Sequence, residues 1–332
     1  MTRPPVIVTG GAGYIGSHTC KALAQRGYLP IAVDDLRTGH ADAVRWGPLE
    51  QLDLAETDRL SEVIAQSGAR TVIHFAASAY VGESMREPLR YYTNNVATTV
   101  SLLRAMERCD VTRMIFSSSC ATYGIPDRMP IAESTSQHPV NPYGRTKLMC
   151  EEIIRDHFNA VGGQFALLRY FNAAGADPMG QLSERHDPET HLIPLALMAA
   201  AGLRPPLEVF GTDYDTPDGT CIRDYIHVSD LARAHVCALE HLSNGAGALA
   251  LNLGTGEGLS ILEIADAIER LTGRPMPWTP APRRAGDPPI LVADPRAARE
   301  VLGFCPRLSD IDTILRHAAP QFGLEVQHAR VA

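Results

Sequence analysis

The segment Asn141-Pro142-Tyr143-Gly144-Arg145-Thr146-Lys147 places a phenol and an ammonium four residues apart. On a helix that spacing puts both side chains on one face. Asn141 suits the N-cap and Pro142 the first helical position, so Tyr143 is expected in the first turn and Lys147 one turn later. An unperturbed tyrosine has a pKa of about 10 and is a poor base at neutral pH. The expectation is that the Lys147 ammonium and the helix N-terminus lower it. Such a phenol can take a proton from a hydroxyl as hydride leaves the adjoining carbon. Ser117, Ser118 and Ser119 end an apolar run, RMIFSSS. In an open parallel sheet, ligands bind beyond the carboxyl ends of strands, so Ser119 is expected to share a hydrogen bond with Tyr143 and a substrate oxygen.

A second constellation lies at the N-terminus. Gly10, Gly13 and Gly16 follow the β-branched run Val6–Thr9 and open a helical stretch. Glycines at this spacing allow a tight turn and bring a pyrophosphate close to a helix N-terminus. Asp34 follows Gly16 by 18 residues, at the end of the next apolar run. A carboxylate there accepts from ribose hydroxyls and repels a 2′-phosphate, which favours NAD over NADP. Arg37 is a counter-signal, with Asp35 between. Asp53 either reaches the adenine or caps a loop.

These side chains need a scaffold. Apolar strand-like runs at Val6–Thr9, Leu29–Val33, Leu49–Leu52, Thr71–Phe75, Arg113–Ser118 and Phe165–Tyr170 alternate with helical stretches near 14–27, 58–67, 89–108 and 142–161. That rhythm predicts an α/β fold: a Rossmann-type doubly wound parallel sheet with helices on both faces. It breaks after Tyr170, which predicts a smaller, discontinuous α/β substrate domain. Residues 1–170, with 222–245 returning to them, form the expected NAD-binding domain; 171–221 and 246–332 form the second. Ser260 and Glu263 make a capping box for a helix over about 261–271. The proline-rich stretch 275–289 is expected to be irregular.

Composition narrows the function classes. The chain has 332 residues, 45% hydrophobic and 20% charged, which excludes a disordered or collagen-like chain. A net charge of -8 argues against nucleic acid as a partner. No apolar run reaches the roughly 18–20 residues of a membrane span, and MTRPPVIVTG leaves no room for a signal peptide, so a cytoplasmic protein is expected. Seven cysteines without a C-x-x-C pair read as reduced packing thiols, Cys120 among them. His186, Asp187, Glu189 and His191 do not put both histidines on one helical face, so no metal is expected. Of 30 basic residues two are lysines, Lys21 and Lys147. Lys21 reads as a surface residue exchangeable with Arg, whereas Lys147 reads as placed for function.

TGGAGYIG, HFAASAYVGES, FSSSCATYG, NPYGRTK, LRYFNAAGADP and GTCIRDYIHVSDLA together resemble the extended short-chain dehydrogenase/reductase superfamily. Within it the chain resembles the UDP-glucose (UDP-galactose) 4-epimerases over essentially its whole length, through APRRAGDPP near the C-terminus. ERHDPETHLIPLA is similar to bacterial members linked to exopolysaccharide precursor supply. The resemblance implies an isomerase that retains NAD and turns over a UDP-sugar, and a homodimer built on the helices near 89–108 and 143–161. It makes Tyr143 the base, Lys147 its partner on the nicotinamide ribose, and Ser119 an aid to proton transfer. It places Gly10, Gly13, Tyr14, Ile15 and Gly16 at the pyrophosphate, and Asp34, Asp35 and Leu36 at the adenosine ribose. Asp53 and Leu54 flank the adenine; Phe75, Ala76, Ala77, Asn94 and Phe171 line the remaining cofactor path. Asn172, His191, Leu192, Arg223, Arg284, Asp287 and Leu291 fall on the substrate side.

The implied mechanism passes hydride from sugar C4 to the nicotinamide and back onto the other face of a 4-keto sugar that turns over in the site. Ala79 stands where many relatives carry Lys, which implies weaker NAD retention. His191 stands where Asn is common, and Leu291 occupies a position that gates sugar size. UDP-N-acetylhexosamines and UDP-pentoses are therefore alternative substrates. The eliminating enzymes of the superfamily place an acid just after the active Ser/Thr, where this chain has Cys120-Ala121. A catalytically silent NAD-binding regulator is the rival from another class; such proteins tend to lose the Tyr or Lys present here.

Overall fold

The computed structural model describes residues 3–284 and 286–327. The chain runs through β1 (Pro5–Thr9), α1 (Tyr14–Gln25), β2 (Leu29–Asp34), β3 (Leu49–Gln51), α2 (Thr57–Ser67), β4 (Thr71–His74), α3 (Val81–Arg86) and α4 (Pro88–Tyr91). It continues through α5 (Thr98–Arg108), β5 (Arg113–Ser119), α6 (Pro142–Val161), β6 (Gln164–Tyr170), β7 (Asn172–Ala174) and α7 (Leu192–Ala200). Then follow β8 (Leu207–Phe210), β9 (Ile222–Arg223), β10 (Tyr225–His227), α8 (Val228–Ser243), β11 (Leu249–Leu253) and β12 (Leu259–Ser260). The last elements are α9 (Ile261–Thr272), β13 (Trp278–Ala281), β14 (Ile290–Leu291), α10 (Arg296–Leu302) and α11 (Ile311–Ala318).

Seven strands form one parallel sheet in the order β11-β6-β5-β4-β1-β2-β3. Successive residues of each strand point to opposite faces, and both faces are buried. Ile7, Val72, Met114, Phe116 and Leu167 join Leu60, Ile64, Leu102, Met106, Ile154 and Phe158 on one side. Val6, Val8, Ile73, Ile115, Ala166 and Leu168 join Leu23, Leu231, Leu239 and Leu242 on the other. Strand order reverses between β1 and β4, so the loops after these two strands splay apart and open a crevice at the carboxyl edge.

The smaller unit has its own core of Ile193, Leu197, Leu207, Val209, Ile264, Ile268, Leu271, Ile314 and Leu315. The Ser260–Glu263 capping box opens α9 as expected. Three stretches of secondary structure differ from the sequence reading. The helical stretch near 89–108 is not one α-helix: Tyr92–Ala97 is a π-helical turn between α4 and α5. Leu249–Leu253, placed with the second domain, is the outer strand of the main sheet beside β6. The proline-rich stretch contains a strand, β13, which pairs parallel with β8. Proline lacks an N–H but keeps its carbonyl, and Leu207 N donates to Pro277 O here, so a two-stranded edge tolerates it.

Lys21 is not an exchangeable surface residue. It is buried, and its ammonium donates to the carboxylate of Asp177, which is 3% exposed. This pair fastens α1 to the loop after β7.

Candidate active site

The loops after β1 and β4 meet at the crevice. Gly10 has φ +70°, and a Cβ there would lie 2.6 Å from Ala76 N. A Cβ on Gly16 would lie 2.0 Å from Gly10 O. Only glycine permits this turn and this approach. Gly13 is the N-cap of α1 and supplies no side-chain cap, which leaves backbone N–H groups free to meet an anion. Tyr14 donates from its hydroxyl to Gly175 O at 2.6 Å, tying the turn to the second unit, while Ile15 packs against the sheet.

Asp34 ends β2 beside this turn. Its Oδ2 accepts from Ala12 N at 3.0 Å and its Oδ1 from Leu36 N at 2.9 Å. Burial pushes its carboxyl pKa up, while these two N–H groups pull it down. Leu36 is held at φ +61°, a strained conformation for a leucine. The Arg37 guanidinium donates to Asp35 at 2.6 Å and to Asp53 at 2.7 Å, so its charge is already matched by two carboxylates. Asp53 also accepts from Ala55 N, a loop cap, and Leu54 is buried beneath it. Glycines that could not carry a Cβ, an uncapped helix N-terminus and an acidic strand end fit a dinucleotide without a 2′-phosphate.

Phe75, Ala76 and Ala77 follow β4 along the same crevice, with the Phe75 ring tilted against His235, ring centres 4.6 Å apart. Asn94, in the π-helical turn, donates to Ser78 Oγ at 3.0 Å. Its neighbour Asn95, overlooked in the sequence, is buried; it accepts from Ser78 N at 2.8 Å and donates to Thr146 Oγ1 at 3.0 Å. The extra residue of a π turn is what lets two consecutive asparagines both reach this loop.

Asn141 Oδ1 accepts from Gly144 N at 2.8 Å and Pro142 opens α6, as expected. Tyr143 and Lys147 are both buried on one face of α6. Lys147 Nζ donates to Ser117 O at 2.8 Å and lies 6.0 Å from the Tyr143 ring centre. Ser119 caps the short turn after β5, accepting from Ala121 N at 3.1 Å. The electrostatics correct one expectation. Burial raises the Tyr143 pKa; the neighbouring Ser119 hydroxyl lowers it in part, and the Lys147 ammonium does not offset the desolvation. Burial also lowers Lys147 to about 8, with Cys150 and Glu151 opposing. Cys120 is pushed up to about 12 by burial, in keeping with a packing thiol.

Behind this pair lies a polar network that sequence reasoning missed. Glu151, one helical turn after Lys147, accepts from Ser118 Oγ at 2.5 Å and from Arg169 Nε and Nη2 at 2.9 and 2.6 Å. Arg169 also donates to Tyr123 OH at 2.8 Å, and that hydroxyl donates to Asn252 Oδ1. Both charges stand plainly in the sequence, Glu151 four residues after Lys147 and Arg169 alone in FALLRY, but no local pattern pairs them.

On the far side of the crevice, Phe171 packs with Tyr123, Ile131 and Ala293, and Leu291 lies against them. Asn172 Nδ2 donates to Asp224 O at 3.0 Å. Arg223 and Leu291 are paired in neighbouring strands. The Arg223 guanidinium donates to Asp287, Pro288 O and Ile222 O, so much of its donor capacity is used within the chain. Arg284 is exposed and stacks 3.9 Å above the Phe210 ring. Asp287 joins the two arginines: its carboxylate accepts from Arg223 and its N–H donates to Arg284 O at 3.3 Å. His191 and Leu192 sit at the start of α7.

Residues 6–254 match the profile of the NAD dependent epimerase/dehydratase family. A UDP-glucose 4-epimerase of Rhizobium meliloti is 52% identical over 307 residues, which are 92% of this chain and 94% of the relative. The crystal structure of a UDP-glucose 4-epimerase from Brucella ovis in complex with NAD superposes with a TM-score of 0.96 at 59% identity, covering 98% of this chain and 100% of that one. One from Bifidobacterium longum, in complex with NAD+ and UDP, superposes with a TM-score of 0.91 at 39% identity, covering 95% and 97%.

Proposed function

The chain belongs to the NAD dependent epimerase/dehydratase family, and we propose that it interconverts UDP-galactose and UDP-glucose by inverting C4 of the sugar with retained NAD. The observation that carries this reading is the pairing of Tyr143 and Lys147 on one buried helix face beside Ser119, at the carboxyl edge of a sheet whose β1–α1 turn is shaped for a dinucleotide.

In this reading Gly10, Gly13, Tyr14, Ile15 and Gly16 cradle the pyrophosphate and Asp34 takes the ribose hydroxyls, with Asp35 and Leu36 shaping the strand end. Bound NAD supplies reversible acceptance of hydride from sugar C4 and, when oxidised, a positive charge that favours a nearby phenolate. Tyr143 removes the proton of the 4-hydroxyl and returns it after the 4-keto sugar has turned over. Ser119 holds the substrate oxygen against Tyr143. Lys147, fixed from behind by Ser117 O, is aimed at the nicotinamide ribose. Arg284 offers an exposed guanidinium to the UDP diphosphate, and Arg223, ordered by Asp287, adds charge beside it. Asn172, His191, Leu192 and Leu291 border the sugar.

Val81, Met85, Leu89 and Met149 are exposed apolar side chains on α3, α4 and α6. They support a homodimer packed through these helices. Seven free thiols accord with a reducing, cytoplasmic setting. No helix among the described residues is long and apolar enough to cross a membrane.

The test is a substrate panel on the purified protein without an added electron acceptor: UDP-galactose, UDP-N-acetylgalactosamine and UDP-xylose. Fastest turnover of UDP-galactose supports the reading. Preference for the N-acetylated or pentose substrate would reassign the sugar, and no turnover of any would favour a silent NAD-binding protein.

A further inference from the structure

The loop between β7 and α7 brings together four side chains that the proposed reaction does not use as a group. One ligand atom each from Glu184, His186, Glu189 and His191 lies within 4.8 Å of all the others. Their sequence spacing fits no single helix face, but they lie on a folded loop, where helical spacing does not govern which side chains meet. Glu184 is 5% exposed. His191 Nδ1 contacts its Oε1 directly. His186 Nδ1 is buried and makes no hydrogen bond, although it stands 3.3 Å from Glu184 Oε1 and 3.5 Å from Glu189 Oε1.

This buried nitrogen faces both carboxylates without aligning for a good hydrogen bond to either, a placement that a shared ion would satisfy. Zinc binds nitrogen and oxygen donors at about 2.0–2.2 Å, so neighbouring ligand atoms of a tetrahedral site stand about 3.3–3.5 Å apart. The two His186 separations have that length, whereas His191 Nδ1 and Glu184 Oε1 are in direct contact and move apart to admit an ion. Metal ligation takes both imidazoles in their neutral form, which leaves the two carboxylates with a charge of -2 for a divalent ion to cancel, and nitrogen with oxygen donors suit a borderline ion such as Zn²⁺. We propose that Glu184, His186, Glu189 and His191 form a divalent transition-metal site of the zinc class.

The site closes the loop that leads into α7. His186 lies edge-on to Tyr14, ring centres 6.2 Å apart, and to Tyr80 at 6.0 Å. Arg185 is held from outside by Asp42, at 2.8 and 3.0 Å. An ion at this point braces the loop against Tyr14 at the N-terminus of α1. Its role is structural, because all four first ligands come from the protein.

The experiment uses tag-free, full-length protein stripped with a chelator and dialysed. Zn²⁺ alone is titrated by calorimetry, and Co²⁺ is titrated with visible absorption as the readout. The expected result is one ion per chain and the intense visible bands of four-coordinate cobalt. Glu189→Gln and His186→Gln should each weaken Zn²⁺ binding by about 100-fold or more, beyond what loss of an outer-shell partner usually costs. His138→Gln, at an exposed histidine elsewhere, should bind as the parent does. The proposal is overturned if the parent protein takes up no equimolar Zn²⁺, or if the two loop variants bind it equally well. Should a variant fail to fold, the parent's cobalt spectrum decides: weak, octahedral-type bands overturn the site.

Discussion

Lys147 Nζ donates to the backbone carbonyl of Ser117 at 2.8 Å, fastening a buried ammonium to the strand that ends in Ser119. The slot is narrow: Nζ also lies 4.9 Å from the Phe116 ring centre, and Lys147 is 3% exposed. A compact ammonium fits this slot, whereas a guanidinium is broader and planar.

Lys147→Arg is therefore expected to lower kcat by about 100-fold or more, the scale of a lost acid–base contribution, although the charge is kept. Steady-state epimerisation beside a circular dichroism spectrum checks this. Near-native turnover would mean that the slot does not discriminate.

The same lysine makes stability depend on pH. Burial lowers its pKa from the ordinary 10.5 to about 8. Between these values the unfolded chain binds a proton that the native protein has released, so native stability rises with pH across that window. Below about 8 the native protein must bury the charge, and the gain is lost. Lys147→Met has no such group. Urea unfolding of both proteins from pH 7 to pH 10 should show the parent gaining on the variant as pH rises. A pH-independent difference would contradict the burial argument.

Glu151 and Arg169 are 1% and 3% exposed in their side chains, and each is the other's main counter-charge. Removing one charge of such a pair costs about 3–5 kcal/mol, because the partner stays buried and unmatched. Glu151→Gln should show a loss of that size in denaturant unfolding, and Glu151→Leu combined with Arg169→Met should recover part of it. A loss below about 1 kcal/mol, the range of exposed pairs, would mean that the network is solvated.

Much of this arrangement was legible in the sequence. The strand–helix alternation, the glycine turn, Asp34 and the placement of Asn141, Pro142, Tyr143 and Lys147 all depend on short-range spacing. What was missed depends on distant partners. Lys21 meets Asp177 across 156 residues, and Glu151 meets Arg169 across a helix and a strand. Local pattern gives no sign that such charges are buried and matched. The π turn at Tyr92–Ala97 was hidden because its composition suits an ordinary helix. The strand at Trp278–Ala281 was hidden because proline argues against strands in general, though less at a two-stranded edge. The Tyr143 phenol was misjudged for a related reason: spacing reveals a nearby charge but not the depth of burial that outweighs it.

The central claim is that the Tyr143 phenol moves the proton. Tyr143→Phe keeps the ring that packs edge-on to Tyr91, 6.4 Å between centres, and deletes the hydroxyl alone. The decisive measurement is single-turnover conversion of UDP-galactose by this variant, with its NAD content and thermal unfolding recorded alongside. The expected result is a rate lowered by about 10²–10⁴-fold, with NAD bound and the fold intact. A rate within a few-fold of the parent would contradict the account and assign the proton to another group.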